Sequence, residues 1–219
     1  VGLIGTKDIE SNPLAIVGGN CSIQGFDSEG NDPFWTVTGD NVSSLALMDY
    51  NRDGKNELVV GSEDFEIRIF AEDEILSEIT ETEAVTALTH VQDGRFGYAL
   101  ANGTVGVYEK TTRWWRIKSK NSATAIYSYD LDGDGRKEVL VISSSDRKAV
   151  LIEFQGKVIS DTIWSYTLPK GAYFTDVAIL DIDVNGQPDL VASSKINADS
   201  NDDGWLYVFQ GTMSGFSKI

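Results

Sequence analysis

The sequence is short of the residues that most often carry chemistry. It has one cysteine, Cys21, and one histidine, His90, in 219 residues. A lone cysteine excludes an internal disulfide, and one cysteine with one histidine cannot assemble a zinc site of the usual kind. A disulfide-free domain of this size leans intracellular, although Asn20-Cys21-Ser22, Asn41-Val42-Ser43 and Asn102-Gly103-Thr104 match the glycosylation sequon. His90, in Thr89-His90-Val91-Gln92, reads as a surface residue at a strand end. A single histidine in such a place argues against histidine-based acid–base catalysis. No nucleophile elbow and no phosphate-binding glycine loop is found. No apolar run approaches the roughly 18 residues that would span a bilayer. Positive charge is also scarce: 18 Lys and Arg stand against 34 Asp and Glu, a net of −16. Such a surface repels phosphate backbones and anionic lipid, so neither nucleic acid nor membrane insertion is expected. The chain opens Val1-Gly2-Leu3 without an initiator Met or a signal peptide, which reads as a segment cut from something longer.

What is present is a repeat. An apolar strand, an acidic turn, a second apolar strand and a third strand ending in an aromatic recur along the chain. The clearest copy runs from Ser44 to Gly54, then Glu57-Leu58-Val59-Val60-Gly61 and Phe65 to Phe70. Others run from Ala123 to Phe154 and from Thr175 to Phe209, and two degenerate copies fill the remaining stretches. Five units result, with approximate bounds 1–39, 40–82, 83–121, 122–171 and 172–219. About four short strands per unit and almost no helical periodicity predict an all-β, five-bladed β-propeller of antiparallel blades. A β-sandwich would have a similar strand count but gives no reason for an acidic turn at the same place in each unit. The last unit looks short of a fourth strand, with only Phe216-Ser217-Lys218-Ile219 left to supply it or the N-terminus to complete it. Trp35, Trp164 and Trp205 read as blade-packing residues, and of the adjacent pair Trp114 and Trp115 one should point inward.

Three turns share one template: an acid, then Asp or Asn at the third and fifth positions, Gly at the sixth and an acid at the ninth. They use Asp49, Asn51, Asp53 and Glu57; Asp130, Asp132, Asp134 and Glu138; and Asp181, Asp183, Asn185 and Asp189. Alternating oxygen donors wrapped around a glycine suit calcium, with the backbone carbonyl of Lys55, Arg136 or Gln187 as a further donor. The twelfth positions are Val60, Val141 and Ala192, so the bidentate glutamate of an EF-hand is missing. The acids and glycines also have a plain reading as good turn formers. The turn Val91 to Arg95 lacks the ligands and should be metal-free. The acidic stretch from Asn197 to Gly204 reads as a solvated loop, with a fourth cation site as its sharper alternative. The loop type resembles that of FG-GAP and integrin-α-like propeller repeats.

A more specific resemblance lies in the first half. Pro13 to Cys21, Asp32 to Val42, Glu57 to Phe65, and Arg95-Phe96-Gly97-Tyr98-Ala99-Leu100 through Trp115 to Asn121 resemble the N-terminal propeller of the Bardet–Biedl syndrome protein 2 family, a BBSome subunit. The resemblance covers about residues 1–121 and fades by about 135; the rest reads as generic FG-GAP repeats, so the chain is a divergent relative or a chimera joined near Asp130–Gly135. The resemblance implies a protein-binding scaffold without catalytic role in a coat-like complex that moves cargo to and from cilia. Coat subunits or cargo would be its partners, the cytoplasm, cilium or basal body its location, and the isolated chain a monomer. The alternatives are a secreted calcium-binding propeller of adhesion or lectin type and an engineered propeller without native function.

Overall fold

The computed structural model describes residues 2–5, 14–71, 74–143, 146–155, 157–196, 204–212 and 214–219. It contains five four-stranded antiparallel sheets, each a meander of strands consecutive in sequence. The first comprises β1 (Gly2–Gly5), β2 (Leu14–Gly18), β3 (Ser22–Phe26) and β4 (Phe34–Val37). The second comprises β5 (Val42–Met48), β6 (Glu57–Ser62), β7 (Glu66–Ala71) and β8 (Glu74–Thr80). The third comprises β9 (Val85–His90), β10 (Arg95–Leu100), β11 (Thr104–Glu109) and β12 (Thr112–Lys118). The fourth comprises β13 (Ala125–Tyr129), β14 (Glu138–Ser143), β15 (Lys148–Gln155) and β16 (Val158–Thr167). The fifth comprises β17 (Ala172–Leu180), β18 (Asp189–Ile196), β19 (Trp205–Thr212) and β20 (Gly215–Lys218). The last sheet therefore has its own fourth strand, with Phe216 opposite Gly211, while β1 pairs with β2 in the first sheet. The chain forms two compact units, residues 1–127 and 128–219.

In the first unit the alternation of the strand decides the packing. All six residues of β6 are buried, so both faces of this strand are covered. Its successive side chains point opposite ways. Leu58 and Val60 join Ile16, Ile23, Phe34 and Phe70 in one core cluster. Val59 instead joins Ile69, Leu88, Phe96 and Tyr98 in a second. One Val/Leu-rich strand thus serves the layers on both sides of it, each buried aliphatic contributing about 1.5–3 kcal/mol relative to exposure. Outer strands carry only one covered face, and β8 is mostly exposed.

Close approach between sheets requires glycine at two equivalent places. A Cβ on Gly18 would lie 2.3 Å from Val42 Cγ1, and one on Gly61 would lie 2.4 Å from Val85 Cγ1. In both cases the end of a second strand meets the valine that opens the next sheet. Hydroxyls complete the joint: Ser43 Oγ donates to Gly61 O at 3.0 Å and also to Val85 O, and Ser44 Oγ accepts from Leu88 N–H at 2.9 Å.

The second unit packs its two sheets through aromatics. Trp164 meets Phe209 and Phe216 edge-on, with centroids 5.5 and 5.2 Å apart. Tyr166 meets Phe209 at 4.8 Å. These edge-to-face pairs add to the area they bury. Trp164 is a packing residue, but Trp35 and Trp205 are 59% and 62% exposed. Trp115 is buried, whereas Trp114 is half-buried. The Trp114 Nε1–H donates to Glu109 at 2.7 Å and its ring carries the Arg95 guanidinium at 3.8 Å. His90 ends β9 and is half-buried, not on the open surface.

Candidate functional site

Each of the three acidic loops joins the first strand of a sheet to the second, and all three fold by the same hydrogen bonds. The first-position carboxylate caps the backbone at the glycine: Asp49, Asp130 and Asp181 accept from the N–H of Gly54, Gly135 and Gly186 at 3.0, 2.9 and 2.8 Å. These glycines have φ of 89°, 85° and 86°, a left-handed backbone that costs glycine nothing. The fifth-position side chain accepts from the seventh residue: Lys55 N–H to Asp53, Arg136 N–H to Asp134, Gln187 N–H to Asn185. The ninth-position acid reaches back under the loop to the second residue, Tyr50, Leu131 or Ile182, at 2.7, 2.8 and 2.9 Å. That acid opens the next strand and is buried in every case: Glu57, Glu138 and Asp189 are 2%, 3% and 2% exposed. In all three loops the turn made by the first and fifth positions is thus closed from beneath by a buried acid.

The loops differ in where the remaining oxygens point. Asp130, Asp132 and Glu138 bring one carboxylate oxygen each within 4.8 Å of one another, and so do Asp181, Asp183 and Asp189. Among the described residues the first loop forms no such group. There Asn51 Nδ2 donates to Asp53 at 2.9 Å and to Glu57 at 3.2 Å, placing an amide between the acids. In the second loop the third position is Asp132, which brings charge and no donor. Burial first, and then the charges of Asp132 and Asp130, push the Glu138 carboxyl up to about 7, against the bond from Leu131 N–H. Glu57 is raised in the same sense, again by burial first. Asp134 is turned away from its neighbours: the Arg136 guanidinium donates to it, through Nε at 2.8 Å. In the third loop Asp183 accepts from Gln210 at 2.8 Å, and Asp189 also accepts from Gly211 N–H at 2.9 Å.

An all-oxygen set of converging carboxylates with no nitrogen or sulfur suits a hard dication. The residues of the second and third loops fit calcium on that chemistry. The turn 91–95, by contrast, is a tight hairpin closed by Val91 N–H to Arg95 O and Arg95 N–H to Gln92 O, with no acid group gathered. The acidic stretch 197–203 lies outside the described residues.

One polar cluster had no signal in the sequence. Glu81, between β8 and β9, is buried and accepts from the Tyr108 hydroxyl and from Arg113 Nη2 at 2.9 Å. Arg113 also donates to the Tyr108 oxygen at 2.8 Å. Burial pushes the neighbouring Tyr98 phenol up to about 12, and burial and then the bond to Glu81 raise Tyr108 as well. These partners stand 27 and 32 residues from Glu81, so no local motif announces them.

Fold and loops together define the class: an all-β protein of five propeller blades with FG-GAP-type loops. Residues 130–192 match the FG-GAP-like repeat family. Two solved structures share the fold, "Crystal structure of BBS1N in complex with ARL6DN, soaked with mercury" with a TM-score of 0.68, and "Crystal Structure of Mitotic Checkpoint Complex" with 0.70. They cover 91% and 94% of this chain and each is matched over 62% of its own, at 12% identity, a likeness of fold alone. The sequence is more particular: residues 44–150 match "Ciliary BBSome complex subunit 2, middle region". The chain resembles BBSome complex member BBS2, with 58% identity to the Homo sapiens protein over 157 residues and 60% to that of Danio rerio over 152. These alignments take in 72% and 69% of this chain but only 22% and 21% of the relatives, so the chain spans about a fifth of their length. The Caenorhabditis elegans relative is 50% identical over 116 residues, 53% of this chain and 16% of that one. The family match continues to residue 150, past the point near 135 where the resemblance was expected to fade, and overlaps the FG-GAP match over 130–150.

Proposed function

We propose that the chain is a non-catalytic, protein-binding scaffold segment of a BBSome-type coat subunit, acting in ciliary membrane-protein traffic at the cilium or basal body. The observation that carries this reading is the 58% identity to the Homo sapiens BBSome member over 157 residues. Its partners are other proteins, coat subunits or cargo. The test is a segment swap: the chain replaces its aligned counterpart in the full-length human relative, and co-purification of the other BBSome subunits is measured. Retention at the level of the unswapped protein is expected; loss of co-purification with the swapped protein still folded would overturn the reading.

We infer in addition that the loops at Asp130 and Asp181 hold calcium as a structural ion. The supporting observation is the pair of three-carboxylate groups, each with oxygens within 4.8 Å. Asp130, Asp132, Glu138 and the Arg136 carbonyl would hold the ion in one loop, with Asp134 joining on release from Arg136. Asp181, Asp183, Asp189, Asn185 and the Gln187 carbonyl would do so in the other. The ion supplies charge neutralisation where acids converge. The loop of Asp49, Asn51, Asp53, Lys55 and Glu57 is the weakest of the three, because the Asn51 amide already stands between its acids.

A further inference from the structure

The acidic chain reverses sign in one place. Residues 110–120 contain Lys110, Arg113, Arg116, Lys118 and Lys120 and no acid. Arg113 is used internally by Glu81, but Arg116 and Lys118 are exposed on β12. They line a cleft of about 410 Å³ with Thr82, Asn102, Thr104 and Ile117. No acid lines it, and every polar residue that does so can donate a hydrogen bond. Cross-strand register builds the wall, since Thr104 lies opposite Lys118 and Gly106 opposite Arg116. The floor is held by the turn before β11, where Thr104 N–H donates to Asn102 Oδ1 at 3.0 Å.

Arg116 is unlike the other arginines. Arg52, Arg68, Arg95, Arg113 and Arg136 each approach an acid, and Arg147 donates to Leu168 O. Among the described residues, the side chains of Arg116 and Lys118 make no hydrogen bond or ion pair. In a chain with 34 acids, two adjacent cations left without an acid are a vacancy of charge rather than a shortage of partners. β12 is also the edge of its sheet, so its outer backbone groups have no strand partner there.

A carboxylate answers the donors of the cleft, and an extended strand answers the edge. We propose that the cleft and the β12 edge bind a glutamate- or aspartate-rich extended segment of a partner protein, with one carboxylate seated between Arg116 and Lys118. A protein segment fits better than a membrane. Screening over about 8 Å confines the cleft's positive field to its own surroundings, which a narrow segment can enter. A flat anionic bilayer would also bring the rest of a −16 surface against itself. The inference rests on the scaffold reading above and adds the chemistry of one partner.

The test is fluorescence anisotropy of fluorescein-labelled hexaglutamate titrated with the whole chain. Three proteins are compared: the wild type, Arg116→Glu with Lys118→Glu, and Lys170→Glu with Lys195→Glu, which makes the same change in net charge on exposed residues elsewhere. Saturable binding by the wild type is expected, with a loss of about tenfold or more for the cleft variant and less than about threefold for the control. Thermal melts check that each variant is folded; should the cleft variant unfold, Arg116→Gln with Lys118→Gln is read in its place. Absence of saturable wild-type binding, or equal losses in both variants, would sink the proposal. So would Arg116-dependent pelleting with phosphatidylserine vesicles in the absence of peptide binding. If the cleft variant loses the peptide but still supports co-purification of BBSome subunits in the segment swap, both readings stand. If the wild type supports co-purification and binds no peptide, only the cleft proposal falls.

Discussion

The loops Asp49–Glu57 and Asp130–Glu138 have the same backbone turn, the same glycine and the same buried glutamate beneath, and they differ in whether their acids converge. At the third position one has Asn51 and the other Asp132. Asn51 turns its amide to Asp53 and Glu57, so a donor stands between the acids of the first loop. Asp132 accepts from Asp134 N–H and adds charge facing Glu138, so the second loop gathers three carboxylates with nothing positive between them. A single exchange of an NH₂ for an O⁻ therefore separates a turn whose acids are bridged by an amide from one whose three carboxylates converge without one.

The largest effect expected from this comparison is a calcium-dependent melt. With calcium at 100 times its dissociation constant, the chelator-stripped wild type should gain about 2.7 kcal/mol per occupied loop, a rise in Tm of roughly 5–10 °C. Asp132→Asn copies the first loop into the second and should remove that loop's share of the rise. An unchanged response in Asp132→Asn would remove the Asp130 loop from the metal sites. The reciprocal change, Asn51→Asp, takes away two donated hydrogen bonds and sets a third acid beside Asp53 and Glu57. It should cost about 1–3 kcal/mol without calcium, read as a lower urea midpoint, and part of that loss should return when calcium is added. A midpoint equal to the wild type in chelator would mean that the Asn51 amide does not hold the first loop together.

The smallest effect concerns the fourth position. It is left-handed in all three loops: Arg52 at φ 67°, Gly133 at 74° and Val184 at 58°. Only the second loop has glycine there. Val184 is β-branched and 85% exposed, so it carries backbone strain with no packing in return. Val184→Gly should raise stability by about 0.5–1 kcal/mol, a shift of a degree or more in a thermal melt. A lower Tm would show that the loop tolerates valine through contacts that glycine loses.

The same contrast shows how far a sequence can be read. Turn residues and closing acids lie within nine positions of each other, so the loop template is local and was legible. The number of sheets and their meander order were legible for the same reason: strand alternation and hairpin turns are short-range properties. The Glu81–Tyr108–Arg113 cluster was not legible, because its partners come from different strands and meet only after the sheet has formed. Nor was the pairing of Asp134 with Arg136, which depends on a side-chain conformer and not on spacing. Trp35 and Trp205 were misplaced because aromatic character predicts burial only where another layer arrives to cover it.

By itself the sequence determined the all-β class, the repeated turn with an acid at its ninth position and the likeness to a BBSome subunit, because each is carried by residues close together in the chain or by identity along it. Tertiary structure alone decided which face of Val59 or Val60 joins which core, which arginines find acids, and why Arg116 and Lys118 are left beside an open cleft. Those outcomes depend on what packing brings within a few ångströms, and distance in space is not written into distance along the chain.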